Sequence, residues 1–240
     1  MSLLFEEIDS QTSPLGEISL RRRRIPAFGD RDIYEVKLGE EFLMSSMFVE
    51  AEEALATLGL AATEGDQLAV VVGGLGLGYT AVAALKDKRI AELLVVDAID
   101  TVIQWHKSEQ VPLGKMLNAD SRNRYVLGSF FDLATDPATG FDPDKPGRKF
   151  DAILLDIDHS PTEFLNAANA GFYTPDNLRL MAEQLKEQGV FAMWSQNLPE
   201  APFEALLAEV FPTVESHVVK FYNPLQNRES TNTVYVCVKG

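Results

Sequence analysis

Hydrophobic and polar positions change their spacing near residue 48 of the chain. Residues 15–46 contain short apolar runs separated by turn-forming residues, and this pattern predicts two or three antiparallel strands. Beyond residue 48 the apolar positions recur at helical spacing instead, as Leu55 and Leu58 do. We therefore expect a small N-terminal β-hairpin domain over residues 1–47 and a second domain over residues 48–240.

From Leu68 onward, buried strands and helices are predicted to alternate. The runs LAVVV, ELLVV, RYVLG, FDAILL and GVFAMW are predicted strands, and Thr174 is the predicted N-cap of a helix that ends near Gly189. Two β-rich runs, TVESHVVKFY and TNTVYVCV, close the chain without a helix between them. The predicted fold class is α/β: a methyltransferase-like Rossmann sheet, mostly parallel with one antiparallel edge insertion, after the small N-terminal β domain.

Glycines are concentrated where the first parallel strand should turn into its helix, in VVGGLGLGYT. Gly74, Gly76 and Gly78 permit unusual backbone angles and close approach of a ligand. Asp97 ends the next strand, where a carboxylate can accept hydrogen bonds from a ribose diol. A dinucleotide and an S-adenosyl compound both fit this pattern. Fold analogy with methyltransferase sheets, through the closing strand pair, favours the S-adenosyl compound.

A second group of polar residues follows the predicted strand in DAILLDIDHSP. Asp156 and Asp158 come directly after buried aliphatic residues, and His159 is next to them. Ligands of open α/β sheets bind beyond the carboxyl ends of the strands, so Asp156 is expected beside the glycine turn. A simple turn or capping role for Asp158 and His159 is the competing interpretation.

Composition limits the partners that fit the chain. Its 240 residues carry a net charge of −15, which argues against a nucleic-acid partner, because binding phosphates requires a basic face. The single cysteine, Cys237, excludes an intrachain disulfide and is predicted to lie in the core. We see no signal peptide and no apolar run long enough for a membrane span, so a cytoplasmic protein is expected.

The segments GLGLGYT, VVDAIDTVIQWH, DAILLDIDHSP, GFYTPDNLRLMAEQL and GVFAMWS, in this order, resemble the spermidine synthase-like family of aminopropyltransferases. The chain resembles a divergent member over residues 68–196, with a looser match in MSSMFVEAEEALATLGL and the N-terminal hairpins. The resemblance implies a homodimer or homotetramer that transfers an aminopropyl group from decarboxylated S-adenosylmethionine to an amine such as putrescine. It implies no metal.

The resemblance also assigns roles to residues of this chain. Asp156 maps onto the catalytic aspartate, which would accept the proton of the attacking amine. The implied nucleoside contacts are Gly74, Leu75, Gly76, Gly78, Asp97, Ala98, Ser129 and Phe130. The implied contacts of the amine are Glu53 and Asp158. His159 and Tyr173 are further candidates from their positions near the predicted substrate side, with core packing as the alternative for Tyr173.

Three departures from the family pattern concern mainly the amine. The family has D-S-S-D-P where this chain has D-I-D-H-S-P, which moves Asp158 one position closer to Asp156. The tyrosine of a Tyr-x-Glu signature is replaced by Ala51 before Glu53, and Ser129 replaces an acidic contact of adenine. Two further hypotheses therefore stay open: a methyltransferase that uses S-adenosylmethionine itself, and a non-catalytic nucleoside-binding relative.

Overall fold

The N-terminal part of this computed structural model, which describes residues 4–26, 29 and 31–240, is a four-stranded antiparallel sheet. Its strands, in spatial order, are β1 (Phe5–Ser13), β2 (Gly16–Arg23), β3 (Ile33–Leu38) and β4 (Glu41–Ser45). The sequence pattern predicted two or three strands and missed β1. Of the predicted domain over residues 1–47, residues 1–3, 27, 28 and 30 lie outside the described residues.

A second sheet of seven strands forms the larger part of the molecule, in the order β10-β11-β9-β8-β5-β6-β7. Its strands are β5 (Leu68–Gly73), β6 (Ile90–Asp97), β7 (Asn123–Leu127), β8 (Phe150–Leu155), β9 (Leu185–Ser195), β10 (Thr213–Asn223) and β11 (Arg228–Val238). Strand β11 runs opposite to the other six strands of this sheet, and it lies between β9 and β10. The predicted α/β fold class, with one antiparallel insertion and a separate N-terminal sheet, is confirmed.

Helices connect the parallel strands. They are α1 (Glu50–Ala61), α2 (Tyr79–Leu85), α3 (Asp100–Lys107), α4 (Gly114–Ala119), α5 (Phe130–Ala134), α6 (Pro175–Glu183) and α7 (Ala201–Ala208), with a 3-10 helix over Ala167–Phe172. Thr174 caps α6 by accepting a hydrogen bond from the amide of Asn177, as its position predicts. No helix in the described ranges combines the length and the apolar character that crossing a membrane requires.

The prediction that α6 ends near Gly189 was wrong, because the helix ends at Glu183. Leu178, Met181 and Leu185 continue the helical spacing in sequence, and all three are buried. Leu185, however, already pairs with Phe150 as the first residue of β9. A buried leucine satisfies either element, so the apolar spacing alone could not locate the boundary.

Alternate residues of the central strands face two separate apolar cores. Val70 and Val72 of β5 pack on the side of α1 and the N-terminal sheet, whereas Ala69 and Val71 pack on the side of α6 and α7. This double burial explains the continuous apolar run LAVVV. It also fixes the carboxyl end of β5 at the middle of the sheet, between β6 and β8.

The N-terminal sheet is attached next to these carboxyl ends. The indole Nε1 of Trp105 in α3 donates a hydrogen bond to Asp9 Oδ2 in β1, at 2.7 Å. At the other side of the small sheet, the amide of Leu77 approaches Met44 Sδ of β4 to 2.8 Å. The small sheet therefore forms a wall over the turn between β5 and α2.

Candidate functional site

A cavity of about 850 Å³ lies where the N-terminal sheet faces the carboxyl ends of β5, β6 and β8. This volume is at the upper end of the range of small-molecule sites, about 300–1,000 Å³. The position agrees with the rule that ligands of open α/β sheets bind beyond the strand ends. Nine residues predicted from the sequence line it: Gly74, Leu75, Gly76, Asp97, Ala98, Ser129, Phe130, Asp156 and His159.

The turn after β5 needs glycine for reasons of space as well as conformation. Gly74 has φ +95°, and a Cβ there would lie 2.0 Å from the carbonyl oxygen of Asp156. Gly76 has φ +46°, and a Cβ there would lie 2.4 Å from Met44 Sδ. Side chains are thus excluded at both positions, and the backbone of the turn is left as the surface of the cavity.

Asp97 holds this turn in place. Its Oδ2 accepts a hydrogen bond from the amide of Leu75 at 3.0 Å, and its Oδ1 accepts one from Ile99 at 2.8 Å. Burial raises the pKa of this carboxyl group, and the backbone donors oppose that shift. Each carboxylate oxygen can accept more than one hydrogen bond, so Asp97 keeps capacity for a ligand in the cavity.

Ser129 and Phe130 begin α5 after β7. Ser129 Oγ accepts a hydrogen bond from the amide of Asp132 at 3.2 Å and so caps the helix. Phe130 is almost fully buried against Gly73, where a Cβ would lie 2.3 Å from its ring. The neighbouring Phe131 and Asp132 also line the cavity.

Asp156 emerges from β8 directly beside the glycine turn, as the sequence predicted. Its amide donates a hydrogen bond to the carbonyl of Gly73 at 2.8 Å, and its Oδ2 accepts one from Thr80 Oγ1 at 2.6 Å. Burial raises the pKa of Asp156 to about 6, although the Thr80 hydroxyl opposes the shift. A carboxylate with such a pKa is a better proton acceptor near neutral pH than an ordinary aspartate.

Glu52 also lines the cavity, in the first turn of α1, and sequence reasoning missed it. Burial and then the negative charge of Asp156 raise the pKa of Glu52 to about 8. Two interacting carboxylates that resist simultaneous ionisation are typical of functional sites. The sequence prediction chose Glu53 instead, and only the rotation of α1 distinguishes the two residues.

Four predicted contacts do not line the cavity: Gly78, Glu53, Asp158 and Tyr173. Glu53 forms an ion pair with Lys86 on the protein surface, at 3.1 Å. Gly78 has φ +91°, and a Cβ there would lie 2.8 Å from the ring of His106, so this glycine serves packing. Asp158 and Tyr173 are both buried and bond to each other behind the wall of the cavity.

Asp158 organises the loop after β8. Its carboxylate accepts hydrogen bonds from the amide of Leu165, from Asn169 Nδ2 and from the hydroxyl of Tyr173, each at 2.8 Å. Leu165 and Asn169 line the cavity, so Asp158 shapes its wall from behind. Burial raises the pKa of Asp158, and these donors oppose the shift.

Acidic side chains predominate among the ionisable residues that line the cavity. Six of the described residues that line it are acidic: Glu35, Glu50, Glu52, Asp97, Asp132 and Asp156. The basic residues among the same lining are Arg23, which forms an ion pair with Glu35, and His159, whose Nε2 lies 2.8 Å from Glu41 Oε1. No group of three or more potential metal ligands is found in the described residues. The arrangement favours a cationic ligand.

The C-terminal hairpin completes the cavity. Strand β11 pairs with β9 only over residues 233–238, so the outer part of the β10–β11 hairpin extends beyond the sheet. From this extension, Phe221 contacts Phe48, which follows β4, with ring centroids 5.6 Å apart. Trp194 of β9 also lines the cavity, and its buried indole nitrogen has no hydrogen-bond partner among the described residues.

Comparison with known proteins identifies this arrangement of elements. Neither a protein-family model nor a curated protein matches the chain. The crystal structure of spermidine synthase from Thermotoga maritima matches with a TM-score of 0.73 and 16% identity, covering 98% of this chain and 73% of that chain. A spermidine synthase in complex with the transition state analogue AdoDATO matches with a TM-score of 0.72 and 17% identity, covering 98% and 74%. The chain therefore has the fold of the spermidine synthases, as the resemblance implied, with a sequence that has diverged far from theirs.

Proposed function

We propose that the protein is an aminopropyltransferase that uses decarboxylated S-adenosylmethionine as the donor and an amine as the acceptor. The observation that carries this proposal is the pair of interacting carboxylates, Asp156 and Glu52, in a cavity beside a nucleoside-type glycine turn. A spermidine synthase with the same fold binds the transition state analogue AdoDATO, which supports a related nucleoside ligand here.

The acidic lining favours the decarboxylated donor over S-adenosylmethionine. Both carry a sulfonium, but S-adenosylmethionine also carries a carboxylate that needs a cationic or hydrogen-bonding partner. Arg23 and His159 are the cationic candidates among the described lining residues, and each is engaged by a glutamate. The donor without the carboxylate avoids this repulsion, and its free ammonium gains from the carboxylates.

Asp156 is the proposed proton acceptor. An alkyl ammonium has a pKa of about 10, so the acceptor must lose a proton before its nitrogen can attack. The nitrogen lone pair then forms a bond to the carbon next to sulfur. The carbon–sulfur bond breaks, and its electron pair stays on sulfur, which leaves neutral methylthioadenosine. The proton passes to Asp156 and then to solvent, while the ammonium form that binds favours ionisation of Glu52, whose carboxylate then holds it.

The assay follows methylthioadenosine release from the decarboxylated donor in the presence of single amines. We expect release with the wild-type protein and a loss of about 10²–10⁴-fold in kcat for Asp156→Asn, since general base catalysis contributes that much. The variant should keep its fold, because asparagine can still accept the hydrogen bond of Thr80. Release by the variant at the wild-type rate would exclude Asp156 as the base. Binding of the donor without turnover across a broad amine panel would favour the non-catalytic alternative.

A further inference from the structure

We infer that the acceptor is an amine with an apolar arm, not a short diamine that is charged at both ends. This inference rests on the proposed function and concerns the part of the cavity away from the glycine turn. Asp156 and Glu52 interact with each other, so together they define the end of the acceptor path where the reacting nitrogen binds. The side chains of the remaining wall determine which carbon chain, attached to that nitrogen, can bind there.

Part of that remaining wall is apolar, although Asn223, Gln226 and Asn232 also line it. Phe48 and Phe221 are in ring contact, and they join the N-terminal segment to the C-terminal hairpin. Leu15, Phe42 and Leu225 also line the cavity, although their side chains remain 41%, 46% and 51% exposed. Scattered exposed apolar residues are ordinary in proteins, but three at the mouth of one cavity form an apolar surface that a ligand could cover.

Of three carboxylates at this wall, two are bound by basic side chains. The buried Glu35 forms an ion pair with Arg23, and Glu41, next to the lining, is bound by His159. Glu50 Oε2 accepts a hydrogen bond from the amide of Val49 at the start of α1, at 3.0 Å. Among these three carboxylates the outer wall thus offers a distal ammonium only Glu50, whereas it offers a methylene chain several aromatic and aliphatic contacts.

Physical chemistry then favours an apolar arm. Each methylene that leaves water for an apolar wall should improve affinity about fourfold, from about 0.8 kcal/mol per buried methylene. A terminal ammonium placed against Phe48, Phe221 and Leu225 loses hydration, and these side chains provide no carboxylate in return. The preference should therefore be largest between two amines of equal length that differ only at the far end.

Hexylamine and 1,6-diaminohexane are such a pair, and calorimetric titration of the full-length protein with each tests the inference. We expect hexylamine to bind at least tenfold more tightly than the diamine and more tightly than butylamine. Equal affinities, tighter binding of the diamine, or no binding of hexylamine would each overturn the inference.

Two neighbouring residues of β10 supply variants. Phe221→Ala should weaken hexylamine binding about tenfold, and Phe221→Glu should reverse the preference toward the diamine by placing a free carboxylate on the wall. Tyr222→Ala is the matched control, since Tyr222 is 60% exposed and bonds to Asn227 outside the cavity. An unchanged preference in both Phe221 variants would contradict the assigned wall.

These titrations need no donor and no turnover, so they are separable from the proposed reaction. Absence of methylthioadenosine release with every amine, together with tight hexylamine binding, would reject the proposed function and keep the apolar amine site. Release that is fastest with short diamines would keep the proposed function and reject the apolar arm.

Discussion

At the scale of single residues, ionisation of the buried carboxyl groups of the cavity lowers the stability of the folded protein. Glu52 and Asp156 both have a pKa raised by burial, and the charge of Asp156 adds to the shift of Glu52. Between the unfolded and folded pKa values, the folded protein binds more protons than the unfolded protein. The free energy of unfolding therefore falls as the pH rises through this interval. A cationic ligand would compensate the charge.

Glu52→Gln should remove this cost. Below about pH 4.5, where the glutamate is protonated in both states, the variant and the wild type should have similar stability. Above pH 8 the variant should be more stable by roughly 1–3 kcal/mol, after allowance for partial solvent screening. Urea unfolding at pH 4.5 and pH 8.5 measures the difference. Glu53→Gln is the matched control on the same helix, since Glu53 pairs with Lys86 at the surface. A stability difference that is the same at both pH values would contradict the assigned pKa shift.

The same two variants separate the structural assignment from the sequence prediction. Glu52→Gln should raise the KM for the amine about tenfold, because a hydrogen bond to a charged group contributes about 1.5–3 kcal/mol. Glu53→Gln should leave the KM within about twofold. Steady-state methylthioadenosine release measures both. A larger increase in KM for Glu53→Gln than for Glu52→Gln would support the sequence prediction that Glu53 binds the amine.

The limits of sequence reasoning are clearest at these residues. Asp156 was predictable, because a carboxylate that follows a buried apolar strand lies at the carboxyl edge of a parallel sheet, where ligands bind. Glu52 was not, because adjacent residues of a helix point about 100° apart and the rotation of α1 depends on its packing. The carboxylate of Asp158 could bind an amine, but its side chain points into the protein, where it accepts three hydrogen bonds.

At the scale of elements, the loop after β8 depends on buried hydrogen bonds to one side chain. Asp158 bonds to Leu165, Asn169 and Tyr173, so the loop contributes to the cavity wall only while this carboxylate is present. The aromatic stack of Phe164 on Tyr173, with centroids 5.4 Å apart, supports the same conformation.

Asp158→Ala should therefore loosen the loop and cost about 1–3 kcal/mol of stability, since one buried and two partly buried donors lose their acceptor. Hydrogen exchange at the amide of Leu165 should become faster, while exchange in β5 should change only as much as global stability does. Asp176→Ala, which removes a 95% exposed side chain of α6, provides the comparison. An unchanged exchange rate at Leu165 would show that the loop keeps its conformation without Asp158.

Elements differed in how well the sequence predicted them. Strands β5, β6 and β8 were predictable, because burial on both faces leaves an uninterrupted apolar run. Strand β1 was missed, because FEEIDSQTS exposes most of its side chains and shows no apolar alternation. The extension of the β10–β11 hairpin over the cavity was also beyond prediction, since strand propensity does not reveal where pairing with β9 ends.

At the scale of the whole molecule, a net charge of −15 and an acidic cavity should attract cationic ligands over a distance. We expect kcat/KM to fall severalfold when ionic strength rises from about 0.05 M to 0.5 M, because the Debye length shortens from above 10 Å to a few ångströms. The fall in kcat/KM should come from a rise in KM, with kcat nearly constant. Salt-independent KM values would show that local contacts, and not the overall field, determine amine capture.

Donor discrimination is the most direct test of the central claim, because it requires no knowledge of the acceptor. The claim is that a cavity lined by six acidic residues selects a nucleoside cation without a carboxylate. Calorimetric titration should show decarboxylated S-adenosylmethionine binding at least tenfold more tightly than S-adenosylmethionine, a difference of about 1.4 kcal/mol. Equal affinity, or tighter binding of S-adenosylmethionine, would contradict the account and favour a methyltransferase.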